Sequence, residues 1–90
     1  MIAKQLHIVG KVQGVFYRKT AKEIADKLHI RGWIKNEKDD SVSAIIEGNN
    51  KEVEEFIEWC KSGPSGAKVE RLSVIEIQNP LPYDEFQILH

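Results

Sequence analysis

Cysteine and methionine each occur once in these 90 residues, so the chain can form no internal disulfide and offers no pair of thiolates for a metal or redox site. That single cysteine, Cys60, suits a reducing compartment, and a cytoplasmic protein is expected. The three histidines, His7, His29 and His90, lie far apart and share no ligand spacing with one another or with Cys60. No cofactor and no metal are expected. No apolar run approaches the ~20 residues that a membrane-spanning helix requires, and the N-terminus has no long apolar leader. A membrane partner is therefore not expected. The net charge is −1, which leaves no broad basic face of the kind that sequence-independent nucleic-acid binding needs. Repeats, low-complexity segments and linkers are also missing, so residues 1–90 read as a single domain, expected to be monomeric.

One further absence is local. No acidic residue precedes Glu23, while Lys4, Lys11, Arg18, Lys19 and Lys22 all fall in that stretch, leaving the other eight bases to face all 14 acids. Within it, Gly10-Lys11-Val12-Gln13-Gly14-Val15-Phe16-Tyr17-Arg18 places a glycine-punctuated loop between a strand-like segment and an amphipathic helix. Backbone N–H groups at such a turn and at the start of a helix point outward unpaired, and together they favour an anion. Arg18 and Lys19 stand in the first helical turn, where the macrodipole disfavours cations. A bound phosphate or carboxylate would offset that conflict.

Alternation over residues 2–9 predicts a strand, with Leu6 and Ile8 on one face. From Tyr17, the positions Ala21, Ile24, Ala25 and Leu28 form one helical face that should stop near His29, before Gly32. Trp33–Asn36 and Val42–Glu47 read as a hairpin around the polar turn Glu37–Asp40. Asn49 with Glu52 gives a capping box for a second helix carrying Val53, Phe56, Ile57 and Cys60. Ser62–Gly66 ends that helix. Val69–Ile77 is rich in β-branched residues, but its apolar phase shifts between Val74 and Ile75, which suggests a bulge there or a strand covered on both faces. Phe86–Leu89 offers a short last strand beyond the stiff Asn79–Pro82 connection. The order is βαββαβ with a terminal strand. It predicts an α+β, ferredoxin-like sandwich: a mainly antiparallel sheet with two helices on one face.

The run ending Gln13-Gly14-Val15-Phe16-Tyr17-Arg18, followed about fifteen residues later by Gly32-Trp33-Ile34-Lys35-Asn36, resembles the signature of the acylphosphatase family. Val42 and Gly48, then Gly63-Pro64 with Ala67 and Val69, and finally Phe86-Gln87-Ile88 extend the likeness over nearly the whole chain. The resemblance implies hydrolysis of an acyl phosphate to a carboxylate and inorganic phosphate, without a metal. It implies that Arg18 binds the phosphoryl group and that Asn36 orients the attacking water. It also implies that Gln13, Gly14, Val15, Phe16 and Tyr17 offer backbone N–H groups to the phosphate, their side chains mostly turned away. Residue chemistry agrees, since a guanidinium presents paired donors to two phosphoryl oxygens and a carboxamide can orient water without acting as a base.

Four residues depart from the family pattern. Tyr17 stands where Phe or Met is usual and brings a hydroxyl that needs a partner if buried. Ile34 replaces a smaller apolar residue, which affects core packing alone. His29 and Asp40 stand in place of glycines and must tolerate left-handed backbone angles. The rival reading is a non-catalytic phosphate- or partner-binding module of the same fold. The retention of both Arg18 and Asn36 favours the enzyme. Trp33 and Trp59 read as half-buried cover, and Glu52, Glu54, Glu55 and Glu58 as a solvated helix face.

Overall fold

Leu6 and Ile8 of the first strand, β1 (Ile2–Lys11), are fully buried while Gln5 before them is exposed, so the helices must lie on the face of even-numbered residues. The computed structural model describes residues 1–90 and continues with α1 (Tyr17–Lys27), β2 (Arg31–Asn36), β3 (Val42–Gly48), α2 (Asn50–Cys60), β4 (Lys68–Glu76) and β5 (Phe86–Leu89). The five strands form one sheet in the order β4-β1-β3-β2-β5. Every neighbouring pair is antiparallel except β2 with β5. Both helices pack on the same face, where Ala21 and Ala25 of α1 and Val53 and Phe56 of α2 join Leu6, Ile8, Ile34, Ala44 and Ile46 in one core. The ferredoxin-like α+β sandwich read from the sequence is the fold that forms.

Asn49 caps α2 through its side-chain oxygen, which accepts the N–H of Glu52 at 3.3 Å. Helix α1 has no such cap. Its N-cap is Phe16, in the left-handed region at φ 64°, and its first turn holds no acid. His29 and Asp40 adopt φ 57° and 73°, the left-handed geometry anticipated where they replace glycine. Ile34 is fully buried in the core.

Three details differ from the sequence reading. Strand β1 runs on through Gly10 to Lys11, and Gly10 sits so close to β4 that a Cβ would collide with the Lys68 carbonyl oxygen. Gly32 lies inside β2, not before it, at φ +133° and with the carbonyl oxygen of Ile45 filling the space a Cβ would need. The bulge of β4 does not sit at the apolar phase shift Val74–Ile75, where pairing with β1 is regular. Register slips instead between Val9 and Gly10, which face Arg71 and Val69 and leave Glu70 as the extra residue. The slip lets Val69 and Leu72, three apart, both pack on the core. Strand β4 is an edge strand, and Val74 and Ile75 remain exposed rather than covered on both faces.

Candidate active site

The loop after β1 is built so that its side chains anchor it and its backbone stays free. Val12 is buried and Val15 packs against the core. Gly14 takes φ +74°, and a Cβ there would meet nothing within 4 Å, so glycine is required by backbone angle and not by space. Tyr17, the first residue of α1, is 1% exposed, and its ring lies 5.2 Å from that of Trp59. Its hydroxyl donates to the Cys60 carbonyl at 2.7 Å, the partner that a buried tyrosine requires. Burial drives the phenol pKa far above its ordinary value, with the contact to Cys60 adding to the shift, so the hydroxyl stays protonated and stays a donor. Beneath the ring, Gly63 leaves no room for a side chain, since a Cβ would come within 2.5 Å of the Tyr17 ring.

With the loop held this way, the backbone N–H groups from Gln13 to Lys19 donate to no acceptor within the chain. The first to do so is that of Thr20, which bonds to the Phe16 carbonyl at 3.0 Å. The positive end of α1 lies here, and Gly14, Phe16, Tyr17, Arg18 and Lys19 line one cavity. Arg18 is half-buried, and its guanidinium reaches the Leu89 carbonyl of β5 at 3.4 Å.

Asn36 arrives from the other side. It ends β2, opposite Val42, and its side-chain oxygen is buried without a hydrogen-bond partner. Loop, helix start and β2 together enclose a cavity of about 350 Å³. Gly14, Phe16, Tyr17, Arg18 and Asn36, all singled out in the sequence, line it. Gln13 and Val15 do not, as the first turns its side chain toward the β2–β3 turn and the second toward the core. Val12, Lys19, Ile88 and His90 complete the wall and were not among the expected site residues. Ile88 and His90 are carried there by the parallel pairing of β5 with β2, a long-range contact with no local sequence signal. Trp33 is absent from the cavity and instead lies 5.4 Å beneath the Lys35 ammonium. No three His, Cys, Asp or Glu side chains converge to hold a metal.

On this ferredoxin-like frame one cavity brings together Arg18, Asn36 and the glycine loop. The acylphosphatase family model matches residues 4–88. An acylphosphatase of Syntrophus aciditrophicus is 42% identical over 97% of this chain and 93% of its own, and one of Pyrobaculum islandicum is 43% identical over 98% and 94%. The crystal structure of the Bacillus subtilis acylphosphatase superposes with a TM-score of 0.96 at 32% identity, covering 100% of both chains. The chain belongs to the acylphosphatase family, hydrolases that act on acyl phosphates.

Proposed function

We propose that Arg18 and the loop N–H groups bind the phosphoryl group of an acyl phosphate, that Asn36 orients the attacking water, and that no metal takes part. The observation that carries this reading is that Asn36 and Arg18 line the same cavity, together with Gly14 and Tyr17 of the loop. The Asn36 carboxamide hydrogen-bonds the water and aims the water's lone pair at phosphorus. Water oxygen bonds to phosphorus as the bond from phosphorus to the acyl oxygen breaks. The carboxylate leaves, and the proton of the water passes to a phosphoryl oxygen. Charge on the equatorial oxygens is met by the guanidinium and by the N–H groups of Gly14 to Tyr17. Phosphoryl transfer is loose, so positioning and charge stabilisation suffice without a strong base.

The substrate's acyl group is left largely unspecified by this arrangement, which reads the phosphate. On the same reading the enzyme is a cytoplasmic, monomeric single domain, with a buried and unpaired Cys60 that suits reducing conditions. Hydrolysis of acetyl phosphate, followed with and without exhaustive chelation, tests it. Equal release of phosphate in both supports the reading. Phosphate binding without turnover, or turnover restored by added zinc or magnesium, would overturn it.

A further inference from the structure

The two halves of the cavity come from distant stretches of chain, and one side chain bonds them directly. The carboxamide nitrogen of Gln13, in the loop, donates to the Glu37 carbonyl at 2.9 Å and to the Ser41 carbonyl at 2.9 Å. Those two carbonyls bracket the β2–β3 turn that begins one residue after Asn36. A glutamine amide has two N–H donors, and both are used here. Because each partner is a carbonyl oxygen, the network also fixes which way the amide faces.

The turn is itself stiffened around these acceptors. The Glu37 N–H donates to the Ser41 carbonyl at 2.8 Å, and that of Asp40 to the Glu37 carbonyl at 3.3 Å. The Ser41 hydroxyl donates to the Asp39 carboxylate, 2.5 Å away. Having spent its one proton there, it must accept from His7 Nε2 at 2.9 Å. Gln13 therefore grips a turn that is already rigid, and the loop cannot shift relative to Asn36 without breaking that grip. At the β5 edge, α1 is tied by the longer contact from Arg18 to the Leu89 carbonyl and by Lys22, whose ammonium donates to the Phe86 carbonyl at 2.9 Å.

We propose that Gln13 is a positioning residue for the hydrolytic step, holding the phosphate loop in register with Asn36 through the β2–β3 turn. The proposal rests on the role assigned to Asn36 above. The Gln13 side chain is bonded to the turn and does not line the cavity. Loss of the two bonds should thus leave phosphate on its loop and Arg18 while misaligning the water, and a shift of about 1 Å in such geometry can cost on the order of 10²-fold in rate.

The test is a double-mutant cycle between Gln13→Met, which keeps length and volume but has no donor, and Asn36→Ala, read with acetyl phosphate and with inorganic phosphate as competitive inhibitor. Gln13→Met should lower kcat by about 10-fold or more. The inhibition constant for phosphate should change less than about twofold, and Gln13→Met should have no further effect once Asn36 is alanine. Equal losses in the two backgrounds, or a loss shared by kcat and phosphate affinity, would overturn the proposal. An Asn36→Ala enzyme with normal kcat would instead contradict the reading of Asn36, so the two failures are separable. A second measurement needs no variant: in the native protein the Gln13 side-chain amide protons should exchange slowly with solvent, and rapid exchange would overturn the grip itself.

Discussion

The phenol of Tyr17 donates its hydrogen bond across the core to the carbonyl of Cys60, tying the first residue of α1 to the last residue of α2 at 2.7 Å. The glycine loop ends where α1 begins, so this bond fixes the loop's exit from beneath. Tyr17→Phe keeps the ring against Trp59 and Gly63 and leaves the Cys60 carbonyl without that donor. It should lower stability by about 1–2 kcal/mol, as for a buried hydrogen bond. Urea denaturation should show the loss, with kcat within about twofold of the native value, because the loop backbone keeps its anchors at Val12 and Val15.

Cys60 is buried, and desolvation pushes its thiol up to about 12. Thiolate is the reactive form, so at about pH 8 the folded protein should resist alkylation by iodoacetamide. Reaction should become fast in denaturant. Rapid labelling of the native protein, measured by mass spectrometry, would contradict the buried placement.

Asp39 supplies a pH dependence whose sign is fixed by its neighbours. Hydrogen bonds from the Ser41 hydroxyl and N–H, followed by the weaker attraction of His7, hold its carboxyl below the ordinary value of 3.8. The folded state therefore binds this proton less readily than the unfolded chain. The resulting stabilisation is present in full above the ordinary carboxylate range and is lost as pH falls through the lower folded value. Asp39→Asn keeps an acceptor for Ser41 but removes the charge. The variant should unfold at lower urea concentration than the native protein at neutral pH, and the gap should close as pH drops below 3.8. A gap independent of pH would show that charge plays no part.

Much of this was legible in the residues because the determining interactions are local. Periodicity placed both helices, and Asn49 announced its cap. His29 and Asp40 showed by position that left-handed backbone was needed. What escaped depends on pairing between strands. A bulge in β4 was one reading of its apolar phase, but the place of the bulge at Glu70 follows from the partner strand, where Gly10 leaves no room for a Cβ beside Lys68 and Glu70. Ile88 and His90 reach the cavity through a parallel contact with β2, made after the chain crosses from one edge of the sheet to the other. The grip of Gln13 on the β2–β3 turn spans 24 and 28 residues, and no spacing rule encodes it.

The division of labour between Arg18 and Asn36 is tested most directly by kinetics and phosphate titration on Arg18→Ala and Asn36→Ala, each first shown to be folded. Arg18→Ala removes a charge-assisted contact to the phosphoryl group, so phosphate affinity should weaken and kcat should fall by at least about 10²-fold. Asn36→Ala should lower kcat by a similar order, about 10²-fold, while the phosphate dissociation constant, followed by amide shifts of residues 13–18, stays within about twofold. Near-normal turnover in folded Asn36→Ala would contradict the orienting role, and near-normal turnover in both variants would contradict this cavity as the place of hydrolysis.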